Sequence, residues 1–207
     1  MREIEEKICS ICGQEGGNSV DHIPPKNLFL EHHRHGRNLI TVPAHTSCNN
    51  ACSRDDDYFR IFILIYSYWK STLARELWDT KVRRQLSRKE SEKFKGYLQR
   101  NMVPTNFHLN GALLNAMKFN AERIDRVASR IAKGLYYHKT GFILDKDLPF
   151  DVSFNGYNIT TELDHLFIFE PVIEGIFKYA WIEANEQKEG IIRMIFFDTV
   201  EFYATYG

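Results

Sequence analysis

The rhythm of apolar and polar positions changes along this chain. Ser19 to Ile23 and Asn38 to Pro43 alternate in the manner of short half-buried strands, and prolines close both, at Pro24-Pro25 and at Pro43. Lys26 to Gly36, between them, is a loop rich in His and Arg. From about Ser47 the spacing becomes helical. Phe59, Phe62, Ile63, Ile65, Tyr66 and Trp69 give an apolar face, and Ser47 can cap the first turn.

Beyond this the pattern predicts an amphipathic helix over Lys81 to Arg100, with Leu86, Phe94 and Leu98 among its charges. Residues 104–111 read as a loop or short strand. A second helix spans Asn120 to Tyr137, with Ile124, Val127, Ile131 and Leu135 at helical spacing and an end signalled by Lys133-Gly134 and Gly141. The last third turns to short runs of β-branched and aromatic residues at Phe150–Phe154, Tyr157–Thr161, Leu166–Phe169, Phe177–Ile182 and Ile191–Phe197, with an edge strand from Glu201. The expected class is α+β: a strand–loop–strand–helix unit, then helices, then an antiparallel sheet carrying the Asn120 helix.

Composition supports a sizeable core, with 43% apolar and 14% aromatic residues in 207. The longest apolar run, Ile61 to Trp69, falls far short of the ~20 residues a membrane span needs, and no signal-like segment opens the chain, so a cytoplasmic protein with no membrane partner is expected. Net charge is zero, which argues against a generally basic nucleic-acid binder. The halves differ, however: residues 1–140 hold 23 Lys and Arg against 15 Asp and Glu, and residues 141–207 hold 4 against 12. A basic N-terminal part can attract phosphate while an acidic tail limits sticking elsewhere, or both are solvated faces.

Candidate chemistry concentrates between Cys9 and Tyr58. Cys9 and Cys12 sit three residues apart, followed by glycines that allow a tight turn. His45 and Cys48 repeat that spacing. Together they supply three thiolates and one imidazole, enough to close a tetrahedral structural zinc site in a reducing compartment, and Cys52 competes with His45 for the fourth place. Between the pairs lie Asp21, a hard oxygen ligand for Mg²⁺ or Mn²⁺, and His22, a candidate base for water. Asn49 can place its amide oxygen opposite Asp21. Arg34 and Arg37 can grip phosphate from the histidine-rich loop, and Arg83, Arg84, Arg88 and Lys89 form part of a basic stretch that reads either as a phosphate-tracking surface or as a solvated helix face.

Taken in order, Cys-x-x-Cys, Asp-His-x-x-Pro, an Asn opening the second strand and ligand-x-x-Cys-Asn at a helix start resemble the HNH endonuclease family over about residues 9–60. The resemblance implies a ββα-metal fold on a zinc-bound treble clef, placed in a domain of residues 1–70, and the pattern of the rest then makes 71–207 a helical, then α+β, accessory domain. It implies cleavage of phosphodiester bonds in DNA, with RNA also open. His22 falls on the general base, Asp21 and Asn49 on the ligands of a catalytic divalent cation, and Asn38 on the middle asparagine. One such centre cuts one strand, so a double-strand break would need a homodimer or two visits.

Three features depart from that pattern. His45 stands where Cys is more frequent, Cys52 stands where many members carry Lys or a small residue, and Asp55, Asp56 and Asp57 bring negative charge to the helix, with Arg34, Arg37 and Arg54 as the expected partners. Two other readings remain: a zinc-finger nucleic-acid-binding or interaction protein without turnover, and a toxin-type protein silenced by its acidic tail or a partner.

Overall fold

The computed structural model describes residues 7–109, 112–156, 164–184 and 189–207. β1 (Ser19–Ile23) and β2 (Ile40–Ala44) form an antiparallel hairpin with Asp21 opposite Val42 and His22 opposite Thr41. Because side chains alternate across a strand, Asp21, Ile23, Val42 and Ala44 are buried on one face while Val20, His22 and Thr41 turn to the other. The connection is more ordered than the loop its sequence suggests. It holds a 3₁₀ turn (Lys26–Leu28) and a one-turn helix α1 (Glu31–Arg34), anchored by buried Leu28 and Phe29.

Helix α2 (Thr46–Ser67) follows β2 directly. It begins at Thr46, so Ser47 lies inside it, and the cap comes from the hairpin: Asn18 Oδ1 accepts from the Thr46 amide at 3.0 Å. The second half of α2 is buried on nearly every side, through Tyr58, Phe59, Ile61, Phe62, Ile63 and Leu64. That makes it the central helix. The Phe59 ring lies 5.5 Å from Phe196 and 5.6 Å from Phe202, and burying each such side chain contributes about 1.5–3 kcal/mol.

The basic stretch is broken rather than continuous. α3 (Thr72–Leu77), capped by Ser71 Oγ, runs into a π turn (Trp78–Val82) and α4 (Arg83–Leu86); a 3₁₀ turn (Lys89–Ser91) then leads to α5 (Glu92–Arg100). β3 (Met102–Leu109) and β4 (Ala112–Met117) pair as a second hairpin, of which the sequence pattern foretold at most one short strand. α6 (Ala121–Thr140) is capped by Asn120 and ends at Gly141, whose φ of +77° suits a left-handed cap. It passes straight through Gly134, which is a packing residue and not a stop: an added Cβ there would stand 2.5 Å from Ile23 Cδ1.

Among the described residues the C-terminal third is a five-stranded antiparallel sheet of β5 (Phe150–Gly156), β6 (Phe169–Ile173), β7 (Phe177–Ala184), β8 (Glu189–Phe196) and β9 (Val200–Tyr206), in the order β5-β9-β8-β7-β6. β9 is therefore an inner strand, not the edge strand expected, because β5 pairs along its outer side. Leu166 closes a 3₁₀ turn before β6, and the strand anticipated at Tyr157–Thr161 lies outside the described residues. Tyr136 of α6 stacks on Trp181 at 5.5 Å and meets Tyr206 edge-on at 5.3 Å, which seats the helix on the sheet. Buried residues of the hairpin, α2, α6 and the sheet form one apolar cluster. No helix among the described residues is long and apolar enough to cross a membrane.

Candidate metal centre and basic cleft

The first ligand pair sits on a turn that Gly13, at φ +76°, allows to close: its amide donates to the Cys9 carbonyl at 2.8 Å. Ser10 docks this knuckle onto β2, its amide and its hydroxyl both donating to the Pro43 carbonyl, at 2.8 and 3.0 Å. The second pair arrives at the start of α2. Ligand atoms of Cys9, Cys12, His45 and Cys48 all lie within 4.8 Å of one another. His45 Nδ1 is 3.4 Å from Cys12 Sγ and 3.8 Å from Cys48 Sγ, close to the ~3.6 Å that Zn–N and Zn–S bonds set across a tetrahedral ion. His45 Nε2 lies 2.9 Å from the Glu15 carbonyl, a contact in which the ring N–H donates and Nδ1 keeps its lone pair for a metal.

These residues therefore fit an ion such as zinc. The electrostatics agree. Burial raises the Cys9 thiol, but the amides of Cys12, His45 and Ile11 outweigh it and bring the pKa to about 7. Burial and the neighbouring Cys12 and Cys9 push Cys48 up to about 11, because a second thiolate beside the first is unfavourable until a cation joins them. Cys52 is not part of this group. It lies beside Arg130, Asp56 and Asp21, with its pKa raised by burial, which leaves the fourth position to His45.

Asp21 and His22, adjacent in sequence, face opposite ways. Asp21 is 3% exposed and points inward, where Arg130 Nε from α6 stands 3.4 Å from its Oδ2. The same guanidinium pairs with Asp56. Burial raises the Asp21 pKa against the pull of Arg130, and carries Asp56 up to about 6. Asn49 turns its amide to the Val20 carbonyl, donating at 2.9 Å. As arranged, Arg130 rather than a cation is the positive neighbour of Asp21, with no hydrogen bond between them, and Asn49 spends its amide on Val20, so the two are not assembled as a Mg²⁺ or Mn²⁺ site.

His22 lies on the other face, in an open cleft of about 540 Å³ that it shares with Lys26, Arg34, Arg37, Asn38, Leu39 and Thr41. Burial, then the charges of Lys26 and Arg34, lower its pKa, so its imidazole is neutral at pH 7. The structure thus brings His22, Asn38, Arg34 and Arg37 together and keeps Asp21 apart from them. Arg83, Arg84, Arg88 and Lys89 are exposed on and after α4, and none lines the cleft.

The aspartate run finds partners other than Arg34, Arg37 and Arg54. Asp55 meets Arg123 and Arg126, each at 2.7 Å; Asp56 meets Arg130; Asp57 takes Arg60 at 3.1 Å, Asn27 at 3.1 Å and Gln85 at 2.9 Å. Arg130 is the residue that sequence reasoning missed. Its signal was the spacing of Arg123, Arg126 and Arg130, which recurs every three or four residues beside the Ile124–Val127–Ile131 stripe and complements Asp55 to Asp57.

No family model, curated protein or solved structure matches this chain.

Proposed function

We propose that the knuckle, hairpin and α2 form an HNH-type nuclease centre on a zinc-supported treble clef, which hydrolyses phosphodiester bonds in DNA with His22 as general base. The observation that carries this reading is the cleft itself: a neutral imidazole beside Asn38 and three cationic side chains, Lys26, Arg34 and Arg37. The backbone phosphate would lie among those cations, whose charge stabilises what accumulates on its oxygens in the transition state. His22 would take the proton from the attacking water as its oxygen bonds to phosphorus and the P–O ester bond breaks, the leaving oxygen taking its proton from solvent, and Asn38, in the same cleft, would orient the base. Cys9, Cys12, His45 and Cys48 would hold the zinc, which braces the hairpin against α2 and takes no part in the chemistry.

The pairing of Asp21 with Arg130 favours a second reading, a DNA-binding module without turnover. Incubating supercoiled plasmid with the protein in Mg²⁺, Mn²⁺ or EDTA separates the two. Nicking or linearisation supports the nuclease. Bound but intact plasmid under every ion supports the binding module.

A further inference from the structure

The insert between β1 and β2 reaches across to α3. His32 Nε2 stands 3.3 Å from Glu76 Oε1, and His33 Nε2 stands 3.7 Å from Glu76 Oε2. The three ligand atoms lie within 4.8 Å of one another, and the two imidazoles meet edge-on with centroids 4.2 Å apart. Both rings turn the same nitrogen toward one carboxylate, although they are neighbours in sequence and one helical turn could have splayed them apart.

We propose that His32, His33 and Glu76 form a second metal site, separate from the cysteine cluster, which takes a divalent transition ion of borderline softness such as Zn²⁺, Ni²⁺ or Co²⁺. Two imidazoles and one carboxylate are the donor set such ions select over Mg²⁺ or Ca²⁺. The distances suit them: bonds of about 2.0–2.2 Å meeting at roughly 90–110° set N···O separations near 3.0–3.5 Å, about what the two pairs show. A plain ion pair explains the group less well. A pair needs only one ring, whereas here both Nε2 atoms converge on the two oxygens of one carboxylate, as they would around a shared ion.

Access differs across the site. The His33 side chain is 12% exposed, while those of His32 and Glu76 are 61% and 41% exposed. One ligand is thus held by packing, and the other two open to solvent, where an ion can enter and complete its shell with water. Bound there, it would tie the insert to α3. The insert carries Arg34, which lines the basic cleft, so the ion would steady one wall of that cleft. Nothing in this depends on the cleft being catalytic.

The test is a calorimetric titration of untagged protein, its cysteine cluster already holding one zinc, with Ni²⁺. Wild type is expected to take up one further equivalent. Binding in His33→Ala and in Glu76→Gln should weaken at least tenfold while the first zinc and the circular dichroism spectrum are retained, and His35→Ala, in the same insert but outside the group, should bind as wild type. Should His33→Ala lose its zinc or its fold, Glu76→Gln on the protein surface decides alone. No further equivalent in wild type, or one that persists undiminished in Glu76→Gln, would overturn the site and leave an ordinary imidazole–carboxylate contact.

Discussion

At His22 a single step along a strand separates two kinds of chemistry. Its neighbour Asp21 faces a guanidinium 3.4 Å away in the interior, while His22 opens on a basic cleft. A pH prediction follows from burial and from Lys26 and Arg34, which hold its pKa below the usual 6.5. In the proposed nuclease the neutral form is the base, so plasmid cleavage should fall about tenfold per unit as pH drops below the folded pKa, and level off by pH 7. Stability follows the same sign. Since the folded pKa is the lower one, this group's contribution is complete above about 6.5 and is lost as pH falls through the folded value. A rate still climbing between pH 8 and 9 would point to a different base. At this scale the cluster of Cys9, Cys12, His45 and Cys48 was legible in the sequence because the spacing within each pair is local. Arg130 was not, since it meets Asp21 and Asp56 only after the chain has passed through α3, α4, α5 and a second hairpin.

Elements with strong local signals matched expectation. β1 spans the residues its alternation marked, and α6 follows its apolar stripe, whereas the second half of α2 is buried on nearly every side and Trp69, expected on its apolar face, lies beyond its end and is exposed. Misreadings arose where a tertiary contact overrode a local signal. Gly134 looked like a helix end, but its missing side chain admits Ile23 of β1 against the middle of α6. Gly134→Ala therefore tests helix propensity against packing. Propensity alone would stabilise by about 1 kcal/mol. Forcing a Cβ to 2.5 and 2.6 Å from two atoms of a buried isoleucine costs more, so a net loss of about 1–2 kcal/mol in urea denaturation is expected. A gain in stability would show that β1 moves aside freely. Likewise, the position of β9 inside the sheet was hidden because strand order depends on which strands pair, a matter the period-two pattern does not encode.

Across the whole molecule, the cysteine cluster and the C-terminal sheet lean on the same core. Ile23 and Val42 of the hairpin belong to one apolar cluster with Phe59, Ile131, Phe196 and Phe202. Chelating the zinc proposed for the cluster should thus lower the stability of the entire chain. We expect one cooperative thermal transition shifted down by ~10 °C or more after chelation, since each kcal/mol is worth about 2–4 °C at this size. Two separate transitions would contradict a shared core. The charge asymmetry visible in composition also has a spatial meaning: the basic cleft belongs to the N-terminal hairpin and its insert, and the acidic third is the sheet.

The central claim is that His22 performs proton transfer in a cleft that holds DNA, and one paired measurement tests it most directly. Cleavage of a labelled duplex and affinity for that duplex are measured on the same preparations of wild type and His22→Ala, at pH 7.5 with Mn²⁺ present and zinc content verified. The account predicts cutting by wild type that falls by a factor of about 10²–10⁴ in the variant, with affinity changed by less than about threefold. Cutting that survives in His22→Ala, or affinity that disappears together with it, would contradict the assignment.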